Sequence, residues 1–147
     1  MIHWKDILNL VQHGNPPADK RIEKTFDQWK RILTDKQYFI TRKKGTEPPQ
    51  SNNCEIHTEG IYQCVCCKSK LFDTSIQYHS SSGWPSFSQP IKENAIKYLK
   101  DFSLSMERIE VQCNTCDAHL GHVFNDGPPP SRLRYCVNST AIELISN

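Results

Sequence analysis

Two Cys-x-x-Cys hooks, Cys64-Val65-Cys66-Cys67 and Cys113-Asn114-Thr115-Cys116, constrain this 147-residue chain more than any other feature. Each hook folds back so that two sulfurs face one point. Four thiolates converging on one ion make the tetrahedral S4 set that zinc takes. The 45 residues between the hooks (68 to 112) exceed the usual zinc-ribbon spacing. A metal bound here therefore pins two distant segments together instead of nucleating a miniature finger. Three other readings compete. A redox-active Cys-x-x-Cys wants a βαβ context, and neither hook has one. A chance arrangement needs two accidental hooks in one chain. A catalytic metal is disfavoured because four thiolates leave no position for water. Within the first hook Cys64 and Cys67 form the natural pair, which leaves Cys66 as an extra thiol with no assigned role.

Composition narrows the context. Hydrophobic residues make up 37% and charged residues 23%, as in an ordinary globular domain. A formal charge of +2 is too weak to argue for a nucleic-acid partner. The opening MIHWKDILNLVQHG carries Lys5 and Asp6 inside its apolar pattern and lacks a small-residue cleavage site. It does not read as a secretory signal, and no segment reads as membrane-spanning. A reducing cytoplasm is the default expectation, where seven cysteines serve as metal ligands or catalytic thiols more often than as disulfides. The odd count leaves at least one thiol unpaired.

The front of the chain reads as helical. Trp4, Ile7, Leu8 and Val11 recur at helical spacing, and Gly14 with Pro16-Pro17 stops that helix. Thr25-Phe26-Asp27-Gln28 and Thr34-Asp35-Lys36-Gln37 each have the form of a capping box. They predict short helices through Leu33 and to about Arg42, ended by Gly45 and Pro48-Pro49. From Gly60 onward, β-rich runs alternate with turns: Ile61 to Val65, Leu71 to Tyr78, Ala95 to Leu99, Phe102 to Val111, Arg132 to Ser139 and Ala141 to Ile145. Short strands without intervening long helices predict a mainly β, α+β fold: antiparallel sheets with the helices packed at one side.

Cys136 stands apart from both hooks, in Arg132-Leu133-Arg134-Tyr135-Cys136-Val137-Asn138-Ser139. On a strand, Arg134, Cys136 and Asn138 share one face while Tyr135 and Val137 point to the other, apolar one. A guanidinium beside a thiol favours thiolate, the nucleophilic form. Asn138 can donate to a developing charge. The bland alternative is a buried structural cysteine, the commoner fate of a lone one. His119-Leu120-Gly121-His122 offers two imidazoles that can ligate a metal, carry protons, or sit on the surface. Ser82-Gly83-Trp84-Pro85-Ser86-Phe87 is a turn holding a large aromatic. Its indole is either a core residue or a wall for a methyl–sulfur group.

Together these stretches resemble the methionine sulfoxide reductase B family in its zinc-containing branch. The matching segments are Arg42-Lys43-Lys44-Gly45-Thr46-Glu47-Pro48-Pro49, Gly60-Ile61-Tyr62 running into the first hook, and Gly83-Trp84-Pro85-Ser86-Phe87. His119-Leu120-Gly121-His122-Val123-Phe124 with Asp126-Gly127-Pro128, and Arg134-Tyr135-Cys136-Val137-Asn138-Ser139, complete the set. The resemblance runs from about Thr25 to the C-terminus. It implies a single domain over residues 1–147, with 1–24 a helical extension and 25–147 the reductase core. It also implies two antiparallel sheets with short N-terminal helices. The implied activity is reduction of methionine-R-sulfoxide, free or peptide-bound, through a sulfenic acid on the nucleophile, as antioxidant protein repair. Cys136 matches the nucleophile, Trp84 the residue that holds the substrate methyl. His119, His122 and Asn138 match the groups that bind and protonate the sulfoxide oxygen, and Arg134 and Asp126 match supporting positions. Cys64, Cys67, Cys113 and Cys116 match the ligands of one structural zinc. Implied partners are the sulfoxide substrate and thioredoxin or a small thiol as reductant. A monomer without nucleic acid or membrane is expected.

The chain also departs from that family. Many members carry a resolving cysteine just before the Gly-Trp-Pro turn, where this chain has Ser82. Cys54 is the first candidate to replace it, if it comes within disulfide reach, and Cys66 is a second. The remaining route is direct reduction of the sulfenic acid by an external thiol. Gln50-Ser51-Asn52-Asn53 departs from the expected pattern near Cys54, and Lys68 stands where a glycine often follows the first hook. The alternative function is a zinc-stapled β binding module in which Cys136 is inert.

Overall fold

In the computed structural model, which describes residues 1–48 and 59–145, three short helices precede two antiparallel sheets. Helix α1 spans Trp4–His13, α2 Phe26–Ile32 and α3 Asp35–Arg42. Both capping boxes form. Thr25 Oγ1 accepts from Gln28 N at 3.2 Å while Gln28 Oε1 accepts from Thr25 N at 2.8 Å. Thr34 and Gln37 repeat the exchange at 3.1 and 3.0 Å. Each box satisfies two backbone donors that a helix start leaves without partners. Helix α1 ends where Gly14, at φ 114°, donates its N–H to Leu10 O. Ile2 and Ile7 are buried in the core, so the front segment is part of the packed body. Among the described residues, no helix is long and apolar enough to cross a membrane.

The strands are β1 (Ile61–Cys64), β2 (Lys70–Asp73), β3 (Gln77–Tyr78), β4 (Ser86–Phe87), β5 (Ile96–Asp101), β6 (Arg108–Cys113), β7 (His119–Phe124), β8 (Arg134–Val137) and β9 (Ile142–Ile145). One sheet has the order β2-β1-β9 and the other β3-β4-β8-β7-β6-β5. Every pairing is antiparallel. The mainly β fold expected from the sequence is the fold observed.

The boundaries differ in several places: the two-residue strand β4 lies in the segment read as a turn, and three larger differences have local reasons. The run Leu71 to Tyr78 breaks into β2, a single 3-10 turn at Thr74–Ile76, and β3. Asp73 Oδ1 accepts from Ser75 N at 2.9 Å and starts that turn. The run Phe102 to Val111 is half turn. Asp101 Oδ1 accepts from Ser103 N at 2.8 Å, the chain reverses, and β6 begins only at Arg108. Phe102, Leu104 and Met106 stay exposed on that turn. Strand β7 was not expected at all, because its two histidines and glycine hide the β pattern.

Aromatic rings join the two sheets. Phe72 on β2 stacks on Phe87 of β4 with centroids 4.3 Å apart. Tyr62 on β1 meets Phe87 edge-on at 5.4 Å, and Phe72 meets Tyr135 of β8 at 5.7 Å. Such rings contribute a large buried area and a preferred geometry. The buried Tyr135 hydroxyl is partnered by the Tyr98 hydroxyl at 2.6 Å. Tyr135 therefore faces the core, and the alternation along β8 turns its neighbour Cys136 to the opposite face.

Candidate active site and metal centre

The first hook closes β1 and the second closes β6, so the cysteine cluster ties one sheet to the other. The sulfurs of Cys64, Cys67, Cys113 and Cys116 all lie within 4.8 Å of one another. Cys64 Sγ is 3.8 Å from Cys116 Sγ, and Cys67 Sγ is 3.6 Å from Cys113 Sγ. A tetrahedral ion with Zn–S bonds of about 2.3 Å requires sulfurs about 3.8 Å apart. Two of the sulfur pairs stand close to that spacing, and all four sulfurs are near enough together to hold such an ion.

The two hooks are built alike. Lys68 N donates to Cys64 O at 2.9 Å and Asp117 N to Cys113 O at 2.8 Å. Cys64 N and Cys113 N donate to Ser69 O and Ala118 O, respectively. Lys68 and Asp117 take the left-handed backbone conformation, with φ 65° and 67°. The glycine absent at Lys68 would have suited that conformation. Lys68 instead pairs with Glu143 at 2.6 Å. Asp117 receives a bidentate pair of bonds from Arg21, both at 2.8 Å, and one from Lys97. Arg42 donates to Cys116 O at 2.7 Å and lies 4.5 Å over the Trp29 ring. Cys66 is buried, with its sulfur 3.3 Å from the Thr41 hydroxyl, and is not one of the four clustered sulfurs.

Cys136 sits in the middle of the larger sheet. Its register partners are Ser86 on β4 and His122 on β7, and His122 in turn is opposite Glu110 on β6. Residues opposite one another share a face, so Ser86, Cys136, His122 and Glu110 form one row. His119 joins them through an irregularity. Three residues from His122, it would face the other way on a regular strand. The pairing of β6 with β7 shifts between Val111 and Gln112, so that β7 carries one extra residue. That bulge re-aims the side chain. The two imidazole centroids lie 5.8 Å apart. Gly121 lets the strands close at this point: a Cβ there would sit 2.0 Å from Cys136 O.

A carboxylate backs each histidine. His119 Nδ1 is 2.7 Å from Glu110 Oε2, and His122 Nε2 is 2.7 Å from Asp101 Oδ2. Burial opposes ionisation of Glu110. Hydrogen bonds from His119 and Gln112, with the Lys44 charge 3.2 Å away, outweigh it and hold the carboxyl down to about 2. Burial also opposes ionisation of Asp101, but bonds from His122 and Ser103 hold it well below the usual carboxylate range. Burial lowers His122, which favours neutral imidazole, and the bond to Asp101 only partly offsets this.

These shifts have a consequence in acid. Glu110 binds fewer protons folded than unfolded. It therefore contributes stability above its ordinary value of 4.5 that drains away as pH falls toward about 2. Glu110→Gln is expected to flatten acid unfolding in that window, followed by circular dichroism. A profile parallel to that of the unsubstituted chain would contradict the Glu110–His119 pairing.

Cys136 is only 3% exposed. Burial pushes its thiol above the ordinary range, and Ser82 and Arg134 pull it back only in part. The expected effect of Arg134 on the thiol is present but is outweighed. The guanidinium is engaged elsewhere, on Asp126 at 2.7 and 3.1 Å, and it stacks 4.3 Å over the Phe124 ring. The Ser82 hydroxyl oxygen is 3.9 Å from the sulfur. A cleft of about 480 Å³ opens beside these groups, lined by Tyr78, Ser80, Ser82, Asp126, Gly127 and Arg134. The Trp84 backbone N–H donates to Ser82 Oγ at 3.2 Å, while its buried indole Nε1 has no partner among the described residues.

Asn138 lies just past β8, and its amide is committed to the backbone. Nδ2 donates to Leu120 O at 2.9 Å and Oδ1 accepts from Glu47 N at 3.2 Å. Glu47, also buried, accepts from Ser139 N, Ser139 Oγ and Thr140 Oγ1. The Gly-Thr-Glu-Pro segment is thereby clasped to the chain just after β8. Cys54 lies outside the described residues. Sequence reasoning missed Glu110, Asp101 and Glu47. A signal existed for the first: Glu110 and Gln112 alternate with Ile109 and Val111, which marks a polar face along β6.

A family profile described as the SelR domain matches residues 33–146. A peptide methionine sulfoxide reductase MsrB of Pseudomonas aeruginosa is 51% identical over 128 residues, covering 85% of this chain and 96% of that protein. The chain belongs to the methionine sulfoxide reductase B family. The MsrB of Pseudomonas syringae is 48% identical over 126 residues, and that of Pseudomonas fluorescens 47% over 127, covering 96% and 98% of those proteins. The MsrB relationship spans the cysteine cluster and the row around Cys136 alike. Helix α1 and the segment that follows it precede the SelR match.

Proposed function

We propose that this protein is a thiol-dependent oxidoreductase that reduces methionine-R-sulfoxide, in peptides or free, to methionine, with Cys136 as nucleophile. The observation that carries the reading is the placement of Cys136 beside a pair of carboxylate-backed histidines. A sulfoxide oxygen leaves only once it is protonated, so the nucleophile needs a proton source aimed at that oxygen. His119 and His122 hold the oxygen and relay to it the proton that Cys136 gives up. Their carboxylates fix the ring orientations and leave the opposite ring edge of each to the ligand. The indole of Trp84 walls the methyl group. Arg134, paired with Asp126, shapes the rim, and Asn138 holds β7 and β8 in register.

A thiol that rests protonated suits this scheme. Its proton departs as the sulfoxide oxygen gains one. Cys136 sulfur then bonds to the substrate sulfur, and the S–O bond breaks to release hydroxide. The hydroxide attacks Cys136 sulfur, the S–S bond breaks, and methionine leaves with that electron pair. The cysteine has lost two electrons and carries the oxygen as sulfenic acid. A thiol reductant, thioredoxin or a small molecule, attacks that sulfur and releases water. A second thiol opens the mixed disulfide and restores Cys136. The cysteine cluster would hold one structural zinc and take no part in these steps. Residues 1–24 belong with the core of a single domain, supported by buried Ile2 and Ile7. A cytoplasmic monomer engaged in repair of oxidised proteins is the setting this reading implies.

A single-turnover experiment tests the mechanism. Without reductant, each chain should release one methionine, and mass spectrometry should find Cys136 either oxidised by one oxygen or trapped by dimedone. Methionine formed with Cys136 unmodified would overturn it.

A further inference from the structure

The serine run before the Gly-Trp-Pro turn touches the candidate nucleophile. Ser82 Oγ is 3.9 Å from Cys136 Sγ and accepts from the thiol in the resting state. The Trp84 backbone N–H donates to Ser82 Oγ at 3.2 Å, and the Ser80 hydroxyl donates to it at 3.1 Å. Ser80 is oriented in turn, because its oxygen accepts from Ser82 N at 3.1 Å. A hydroxyl offers two lone pairs and one hydrogen. While the thiol is protonated it donates to Ser82 Oγ. Once that proton leaves, the sulfur can only accept, and the hydrogen of Ser82, whose oxygen already accepts from Ser80 and Trp84 N, is free to turn to it.

We propose that Ser82 is a catalytic residue, whose hydroxyl, oriented by Ser80 and the Trp84 N–H, donates a hydrogen bond to Cys136 Sγ as the thiolate forms. The proposal rests on the reading of Cys136 as the nucleophile. The other groups facing the sulfur do not replace this donor. Arg134, on the same strand, also favours the thiolate, but its Nε and Nη2 are spent on Asp126. Asp126, in the loop after β7, opposes a negative sulfur. Tyr78 on β3 is pushed by burial up to about 12, and His122 on β7 is lowered by burial, so both are neutral at pH 7. Ser82 is the neutral donor that the surrounding contacts pre-orient. The long contact in the resting state leaves room to tighten when charge develops.

The test follows alkylation of Cys136 in the zinc-loaded protein with iodoacetamide from pH 6 to 10, quantified by mass spectrometry of its peptide. Ser82→Ala should slow alkylation at pH 7.5 roughly tenfold, as expected for loss of a hydrogen bond to a charged group, and move the profile about one pH unit upward. Ser82→Thr, which keeps the hydroxyl, should restore the rate to within about twofold. A Ser82→Ala profile that superposes on the unsubstituted one overturns the proposal. A Ser82→Thr profile as slow as that of Ser82→Ala also overturns it, since that result points to packing. Turnover of N-acetyl-methionine sulfoxide by the unsubstituted protein is measured in parallel. Its absence sinks the reductase reading, whereas an unmoved alkylation profile in an active enzyme sinks only the role of Ser82.

Discussion

Cys136→Ser should abolish turnover of methionine sulfoxide, with a fall of at least about 10³-fold in kcat/KM, and leave the fold and bound metal intact. The size follows from the scheme: a serine hydroxyl cannot take up the oxygen as a sulfenic acid, so no alternative path exists in the site. Stability should change little. Cys136 is buried, but serine is nearly isosteric and keeps Ser82 and its strand neighbours within reach. The measurements are steady-state kinetics, a thermal melt and zinc content by atomic absorption. Activity within tenfold of the unsubstituted protein would remove Cys136 from the mechanism.

Cys64→Ser should produce the opposite signature, losing metal and stability together. The cysteine cluster joins the end of β1 to the end of β6, and so one sheet to the other. Metal-binding energy in such a site is folding energy, because the unfolded chain has no preformed ligand set. Loss of one of four ligands is expected to cost several kcal/mol, and to lower Tm by about 10 °C or more in a chain of this size. Chelation of the unsubstituted protein should reproduce the shift. A soluble Cys64→Ser variant with an unchanged melting curve would contradict a structural role for the metal.

Much of this architecture is legible in the residue order because local chemistry decides it. Thr25 with Gln28 and Thr34 with Gln37 spell out two helix starts, and the structure uses both pairs as capping boxes. The two hooks announce a four-sulfur cluster, and the alternation around Cys136 places Tyr135 on the core face. What the order conceals depends on long-range pairing. The strand His119–Phe124 carries too many polar residues to read as β, since its polarity serves the site rather than a solvent face. The extra residue that brings His119 beside His122 exists only as a mismatch between β6 and β7, and no single strand shows it. The carboxylates behind the histidines come from Glu110 and Asp101, on strands that adjoin only after folding. The apolar residues Phe102, Leu104 and Met106 mimic a strand, but Asp101 turns the chain before they can form one.

The central claim is an activity with a defined stereochemistry. The zinc-loaded protein is incubated with racemic N-acetyl-methionine sulfoxide and dithiothreitol, and the remaining epimers are separated by chiral chromatography. The account predicts loss of the R epimer alone, with N-acetyl-methionine appearing in equal amount. Persistence of both epimers, from protein shown to be folded and to hold its metal, would contradict it.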